Sequence, residues 1–237
     1  MNDIELPQDY VDGVIARRGG RAHVFETLAP AKTALVVVDM QHAFVAEGAP
    51  FEIAAARALV PTINNLAATL RTAGGIVVWV QATHPPRGSP EYFAMFFENF
   101  VAPDQRERAH GSVTKESPLH AIYDGLEVLP LDQIVEKCRP SAFIQGASDI
   151  EERLRALGVD ALLICGVATN MCCETTARDA MMRGFKVTMV ADANAANSEL
   201  EHQAGLLTMF RYFGDVRTSA DVIGLIDAST RLQDAAE

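Results

Sequence analysis

Four short runs dominate the pattern of this chain: Thr33 to Asp39 (TALVVVD), Gly75 to Gln81 (GIVVWVQ), Ala161 to Gly166 (ALLICG) and Lys186 to Ala191 (KVTMVA). All are apolar and rich in β-branched residues, and none alternates as a half-exposed strand would. Runs of this kind are strands covered on both faces, the environment of a parallel sheet. Between them lie segments with helical spacing, at about 51–73, 149–157, 171–184 and 199–213, closed by Gly74, Gly158, Gly184 and Gly214 as helix stops. Weaker strands at Gln133 to Lys137 and Asp215 to Thr218 bring the number to about six. Strands alternating with helices and joined by right-handed crossovers predict an α/β three-layer sandwich.

The rest of the composition narrows the class. With 237 residues, of which 49% are hydrophobic and 22% charged, the chain is long enough for one well-cored domain and too apolar for disorder. We read residues 1–29 as an N-terminal arm and residues 30–237 as a single domain. No apolar run approaches the roughly 18 residues that cross a bilayer, so no membrane association is expected. A formal net charge of -11 repels polyanions, and nucleic acid is not an expected partner. The opening MNDIELPQDY lacks a basic and then apolar leader, which makes a cytoplasmic location the expectation. The four cysteines, Cys138, Cys165, Cys172 and Cys173, are too few and too unevenly spaced for a disulfide framework and form no CxxC pair, so they read as thiols.

Residues 82–132 break the rhythm. They contain Pro85, Pro86, Pro90, Pro103 and Pro118, and connections this long usually carry function, here as a lid or an interface. Within them EYFAMFFENF sets Phe93, Phe96, Phe97 and Phe100 at helical spacing. The expectation is a helix packed on its own core or on a neighbouring subunit, with a pocket wall as the alternative.

In an open parallel sheet, ligands bind beyond the carboxyl ends of the strands. Polar residues that end apolar strands are therefore the first candidates. Asp39 ends LVVVD, Lys137 ends IVEK, and ICG runs into GVATNMCCETTARDA. Each has an ordinary reading alone, since aspartate often caps the next element and lysine is usually a solvated charge. Together they make a chemical device. Gly166 to Asn170 reads as a tight turn into a helix near Met171, with Thr169 or Asn170 as N-cap. Cys172 then falls in the first helical turn, where the dipole and a nearby lysine are expected to lower its pKa from about 8.5. A neighbouring carboxylate can take the thiol proton and return it to a leaving nitrogen. Free backbone NH groups of the same turn can hold an oxyanion.

The segments VVVDMQHAF, EKCRPSAF and CGVATNMCCETTARDA, in this order, resemble the three signature segments of the isochorismatase-like cysteine hydrolases. The resemblance covers roughly residues 30 to 220. It implies a six-stranded parallel sheet in the order 3-2-1-4-5-6 and a catalytic triad of Asp39, Lys137 and Cys172. It also implies a non-proline cis peptide between Val167 and Ala168, with the NH groups of Ala168 and Cys172 as the oxyanion hole. In that alignment Cys173 takes a position usually held by an apolar residue and reads as a core side chain. Cys138 and Cys165 read as structural.

Substrate-binding candidates are Gln41, Phe44, His84 and Thr169. Gln41 and Phe44 either line the pocket or hold the loop after the first strand. His84 follows the second strand, where nicotinamidases of this superfamily bind a divalent ion through an Asp-x-His segment. Here the sequence is QATHPP, without that aspartate, so neither a catalytic metal nor another cofactor is expected. Arg139 and Ser141 lie near enough to Lys137 to reach substrate, with surface capping as the plainer reading.

The resemblance points to an amidohydrolase that cleaves a C-N bond of a small linear amide, ureido or carbamoyl substrate through a cysteine thioester. Vinyl-ether hydrolysis of isochorismate, which does not use the cysteine, and a non-catalytic scaffold are the alternatives. The family commonly assembles, so a homodimer or homotetramer is expected.

Overall fold

A computed structural model of the chain describes residues 6–234. The first five residues of the expected arm and the last three of the expected domain lie outside the described residues. Six parallel strands form one sheet in the order β3-β2-β1-β4-β5-β6. They are β1 (Thr33–Val38), β2 (Ile76–Ala82), β3 (Gln133–Lys137), β4 (Ala161–Val167), β5 (Lys186–Ala195) and β6 (Asp215–Arg217). The three-layer α/β sandwich and the strand order 3-2-1-4-5-6 are both as expected.

The absence of alternation in β1 now has a physical reading, because both faces of the strand are buried. Ala34, Val36 and Val38 point into a cluster built with helices α1 (Gln8–Arg17), α6 (Ile150–Ala156), α7 (Glu174–Met182) and α8 (Glu199–Thr208). Leu35 and Val37 point the other way, toward α3 (Ala56–Thr72) and α9 (Ser219–Asp234). Burying a valine or leucine side chain contributes about 1.5–3 kcal/mol, so two full faces account for much of the driving force.

Part of the expected arm belongs to the first of these layers. Val11 and Val14 of α1 join the core, and Asp215 of β6 accepts hydrogen bonds from the Val24 and Phe25 NH groups at 2.8 and 2.9 Å.

Several boundaries differ from the sequence reading, each for a local reason. The helix expected from residue 51 starts at Ala56. Phe51 and Ile53 instead donate backbone hydrogen bonds to Ala43 and Phe44, which holds them against the short helix α2 (His42–Val45). Strand β5 continues past Ala191 to Ala195 beyond a register shift opposite Ile164 and Gly166. The Asn194 amide bridges that irregularity by donating to the Ile164 and Val190 carbonyls.

Residues 82–132 are ordered over the carboxyl ends of β1 and β2. They hold helices α4 (Ala94–Asn99) and α5 (Arg106–Ser112), they are tied to the segment after β1 by His42 NH to Ala121 and Tyr123 NH to Met40, and His84 NH donates to Val113 within them. Their aromatic residues form a third, smaller cluster around Phe97.

Candidate active site

Asp39 is the first residue beyond β1, and its backbone takes a positive φ of 53°. That left-handed conformation is tolerated better by aspartate than by most residues and turns the chain sharply off the strand. On the next strand, Gly166 also has a positive φ, 109°, and a Cβ there would stand 2.1 Å from the Val38 carbonyl oxygen. Glycine therefore lets β4 close on β1 at the position just before Asp39.

Lys137 ends β3, two strands from Asp39, and reaches it across β2. The residue paired with Lys137 in register is Ala82, whose single methyl leaves room for the lysine stem. The Lys137 Nζ donates to Asp39 Oδ2 at 2.8 Å and to the Arg139 carbonyl at 3.2 Å. Both side chains are 1% exposed, so this is a fully buried ion pair. Burial alone would lower the lysine pKa, but Asp39 and Cys172 outweigh it and the net shift is upward. The ammonium form is thus held firmly. Asp39 Oδ1 is buried with no hydrogen-bond partner among the described residues, leaving one carboxylate oxygen available for a reacting group.

Beyond β4 the Val167–Ala168 peptide is cis, as the resemblance implied. The chain then forms one π-helical turn, Thr169–Cys173, before α7 begins at Glu174. The expected N-cap is not formed by Thr169 or Asn170. Ala168 occupies that position, and its carbonyl accepts from the NH groups of both Met171 and Cys173 at 3.1 Å.

Cys172 sits in this turn, 8% exposed, against both Asp39 and Lys137. Its pKa corrects the sequence expectation. Burial, followed by Asp39, pushes it up to about 12, and the opposing pull of Lys137 is smaller. Removing a thiolate from water outweighs one nearby ammonium that is already paired. The resting group is a thiol.

Asp39, Lys137 and Cys172 together line a cavity of about 70 Å³. Its walls are largely aromatic: Phe44, Phe51, Phe93, Phe96 and Phe97, with His84, Arg139 and Met171. A wider depression of about 700 Å³ lies between the segment from Ala142 to Arg155 and Arg183. Its lining includes neither Cys172 nor the Lys137–Asp39 pair, so the smaller cavity is the candidate site.

The other candidates divide. Phe44 and His84 line the cavity. His84 stacks on Phe93 and meets Phe97 edge-on, and its Nδ1 is buried without a partner among the described residues. Burial first, then Lys137, His110 and Arg139, lowers its pKa to about 3, so the ring is neutral.

Gln41 takes the loop-holding alternative. Its amide donates to the Ala82 and His120 carbonyls at 3.1 and 2.7 Å and accepts from the Ala82 NH at 2.7 Å, which occupies the side chain outside the cavity. Thr169 is likewise turned away from the cavity lining, with its hydroxyl 2.7 Å from His202 Nδ1. Cys173 is fully buried in the core and Cys165 lies inside β4.

Phe93, Phe96 and Phe97 of the stripe both pack in the third cluster, the first expectation, and line the cavity, the alternative given above. Only Phe100 remains strongly exposed, at 77%. Helical spacing places Phe51 in the helix expected from residue 51, which hides its place in the cavity wall. Among the described residues, no three His, Cys, Asp or Glu side chains converge as metal ligands.

Comparison with known proteins matches this chain to the Isochorismatase domain over residues 33–221. The ureidoacrylate amidohydrolase RutB of Agrobacterium fabrum is 31% identical over 224 residues, covering 88% of this chain and 96% of its own. Among solved structures, a cysteine hydrolase from Pseudomonas syringae pv. phaseolicola superposes with a TM-score of 0.78 at 29% identity, covering 87% of this chain and 98% of the other. The N-carbamoylsarcosine amidase of Thermoplasma acidophilum gives 0.63 at 25% identity, over 79% and 96%. Because the matched domain runs from the start of β1 into α9 and so takes in the whole sheet, the chain belongs to the isochorismatase family.

Proposed function

We propose that this protein is an amidohydrolase that cleaves a C-N bond of a small linear amide, ureido or carbamoyl substrate, with Cys172 as nucleophile. The observation that carries this reading is the buried Lys137–Asp39 pair at 2.8 Å, with the unpaired Asp39 Oδ1 and the Cys172 thiol in one small cavity. The relatives named for ureidoacrylate and N-carbamoylsarcosine hydrolysis support the substrate class.

Because the resting sulfur holds its proton, attack is coupled to proton transfer. As the substrate carbonyl approaches, the thiol proton moves to Asp39 Oδ1 while sulfur bonds to carbon and the carbonyl electron pair moves onto oxygen. That oxyanion lies at the Ala168 and Cys172 NH groups. Collapse of the intermediate breaks the C-N bond, and the proton on Asp39 leaves with the nitrogen as ammonia or amine. Water then gives a proton to Asp39 and attacks the thioester carbon. The C-S bond breaks and the proton returns to sulfur. Lys137 stays protonated throughout and fixes the carboxylate in line with the thiol.

A cavity of about 70 Å³ is far below the roughly 300–1,000 Å³ of sites for drug-sized ligands, which favours a compact reacting group. The test is a screen of ureido, carbamoyl and simple amides for ammonia release by the wild type and the Cys172→Ser variant. Release that depends on Cys172 is the expected result. Equal release by both proteins would overturn the assignment of the nucleophile.

A further inference from the structure

The nucleophile candidate stands on the single π-helical turn Thr169–Cys173, beside Asp39 and Lys137. A different element, α8, packs against the same turn from outside the cavity. A Cβ built on Gly205 of α8 would stand 3.2 Å from Asn170 Cα and 3.3 Å from the Asn170 backbone nitrogen, so helix and turn meet backbone to backbone. His202, three residues earlier on the same face of α8, supplies a polar tie. Its Nδ1 lies 2.7 Å from the hydroxyl of Thr169, which is fully buried. Among the described residues, the only other side chain of the turn that hydrogen-bonds outside the cavity is Cys173, whose Sγ donates to the Cys165 carbonyl at a long 3.8 Å. His202 is itself anchored. Its NH donates to the Ser198 carbonyl at 3.0 Å, and the Ser198 side chain caps α8 by accepting from the Glu201 NH at 3.3 Å. Burial holds the pKa of the ring below its ordinary value, against the opposing effect of Glu199, so the ring is neutral at pH 7. Neither His202 nor Thr169 lines the cavity, yet Thr169 opens the turn that carries Cys172.

We propose that His202 is a positioning residue, which through the Thr169 hydroxyl fixes the π turn so that the Cys172 thiol faces Asp39 Oδ1. This rests on the amidohydrolase reading above, with Cys172 as nucleophile, and extends the machinery to a residue outside the cavity. The competing role is a packing contact that stabilises the chain and leaves the chemistry untouched.

The experiment uses two pairs of variants in the full chain. Thr169→Val removes the hydroxyl at nearly constant shape and Thr169→Ser keeps it; His202→Phe keeps a ring without its nitrogens and His202→Asn restores a polar atom near the Nδ1 position. Each is followed by melting temperature, by kcat and KM for ammonia release, and by the pH midpoint of Cys172 alkylation with iodoacetamide, mapped by peptide mass spectrometry. In Thr169→Val and His202→Phe, kcat is expected to fall about 10–100-fold with KM within about twofold, because a small displacement of the sulfur spoils attack more than binding. Most of the loss returns in Thr169→Ser and His202→Asn, and Thr169→Val/His202→Phe is no worse than either single variant, since all three break one bond. The alkylation midpoint moves to lower pH in the same two variants, because burial and Asp39 are the two largest causes of the raised thiol pKa and a released turn weakens both. A lowered melting temperature with kcat and midpoint as in the wild type would overturn the proposal, as would losses that multiply in the double variant or are equally large in Thr169→Ser and His202→Asn. If the buried Thr169→Val does not fold, His202→Phe at the half-buried position carries the same readouts. A wild type that releases ammonia from no amide tested counts against the hydrolase reading alone, because the alkylation midpoint still decides the positioning role.

Discussion

At the scale of single residues, the site is governed by burial. The Lys137–Asp39 pair is taken wholly out of water, so removing one partner leaves an uncompensated charge. Lys137→Met is expected to cost about 3–5 kcal/mol of stability in denaturant titration, and the double variant with Asp39→Asn to recover part of it. Because Lys137 opposes the upward shift of the Cys172 thiol, the same variant is expected to move iodoacetamide alkylation of Cys172 to higher pH. An unchanged alkylation profile would assign the lysine to structure alone. His84 gives a pH prediction of definite sign. Its folded pKa, lowered from 6.5 to about 3, means that the unfolded chain binds the extra proton between those values. Stability from this group is complete above about pH 6.5 and is lost as pH falls through the window toward 3. Thermal melts of His84→Phe are therefore expected to decline less between pH 6.5 and 5 than those of the wild type. A parallel decline would show that the ring is not held neutral. The same burial explains why the sequence misled about the thiol. Helix position and a nearby lysine are legible in a sequence, but the depth at which the group sits is not.

The elements show where sequence pattern was sufficient. Strands β1, β2 and β4 announced themselves because burial on both faces demands continuous apolar runs, and the polar ends of β1 and β3 marked Asp39 and Lys137. What could not be read was geometry set by tertiary contact. The π turn at Thr169–Cys173, the extension of β5 to Ala195 and the removal of Phe51 from α3 each depend on a partner distant in sequence. The identity of Gln41 permits both of its roles, and the nearby Ala82 and His120 carbonyls decide between them. At this scale Gly166 is the sharpest test. Its positive φ and the 2.1 Å approach of a built Cβ to Val38 predict that Gly166→Ala costs at least about 2 kcal/mol and separates the Asp39 and Cys172 strands. Loss of both melting temperature and turnover is expected, and a variant with normal values for both would remove this close approach from the account.

For the whole molecule, the sheet order places β1 and β4 side by side at the point where the chain reverses direction across the sheet, and the site forms there. Residues 82–132 then roof it with aromatic side chains, a role that proline content and phenylalanine spacing left open. Among the described residues no helix is long and apolar enough to cross a membrane. Assembly into a homodimer or homotetramer is retained as a proposal, with Met95 and Phe100 as the apolar residues of α4 and its end still facing solvent. Light scattering is expected to give a multiple of 25.6 kDa, reduced in Phe100→Asp, whereas a single-chain mass at micromolar concentration would refute it.

The central claim, that Asp39, Lys137 and Cys172 act as one unit through a thioester, is tested most directly by acid-quenching the enzyme during turnover of an amide or carbamoyl substrate and mapping the acyl adduct by peptide mass spectrometry. A hydroxylamine-sensitive adduct on Cys172 is expected, enriched when deacylation is slowed and absent in Asp39→Asn. An adduct on Cys173, or full turnover by Cys172→Ala with no adduct anywhere, would contradict it.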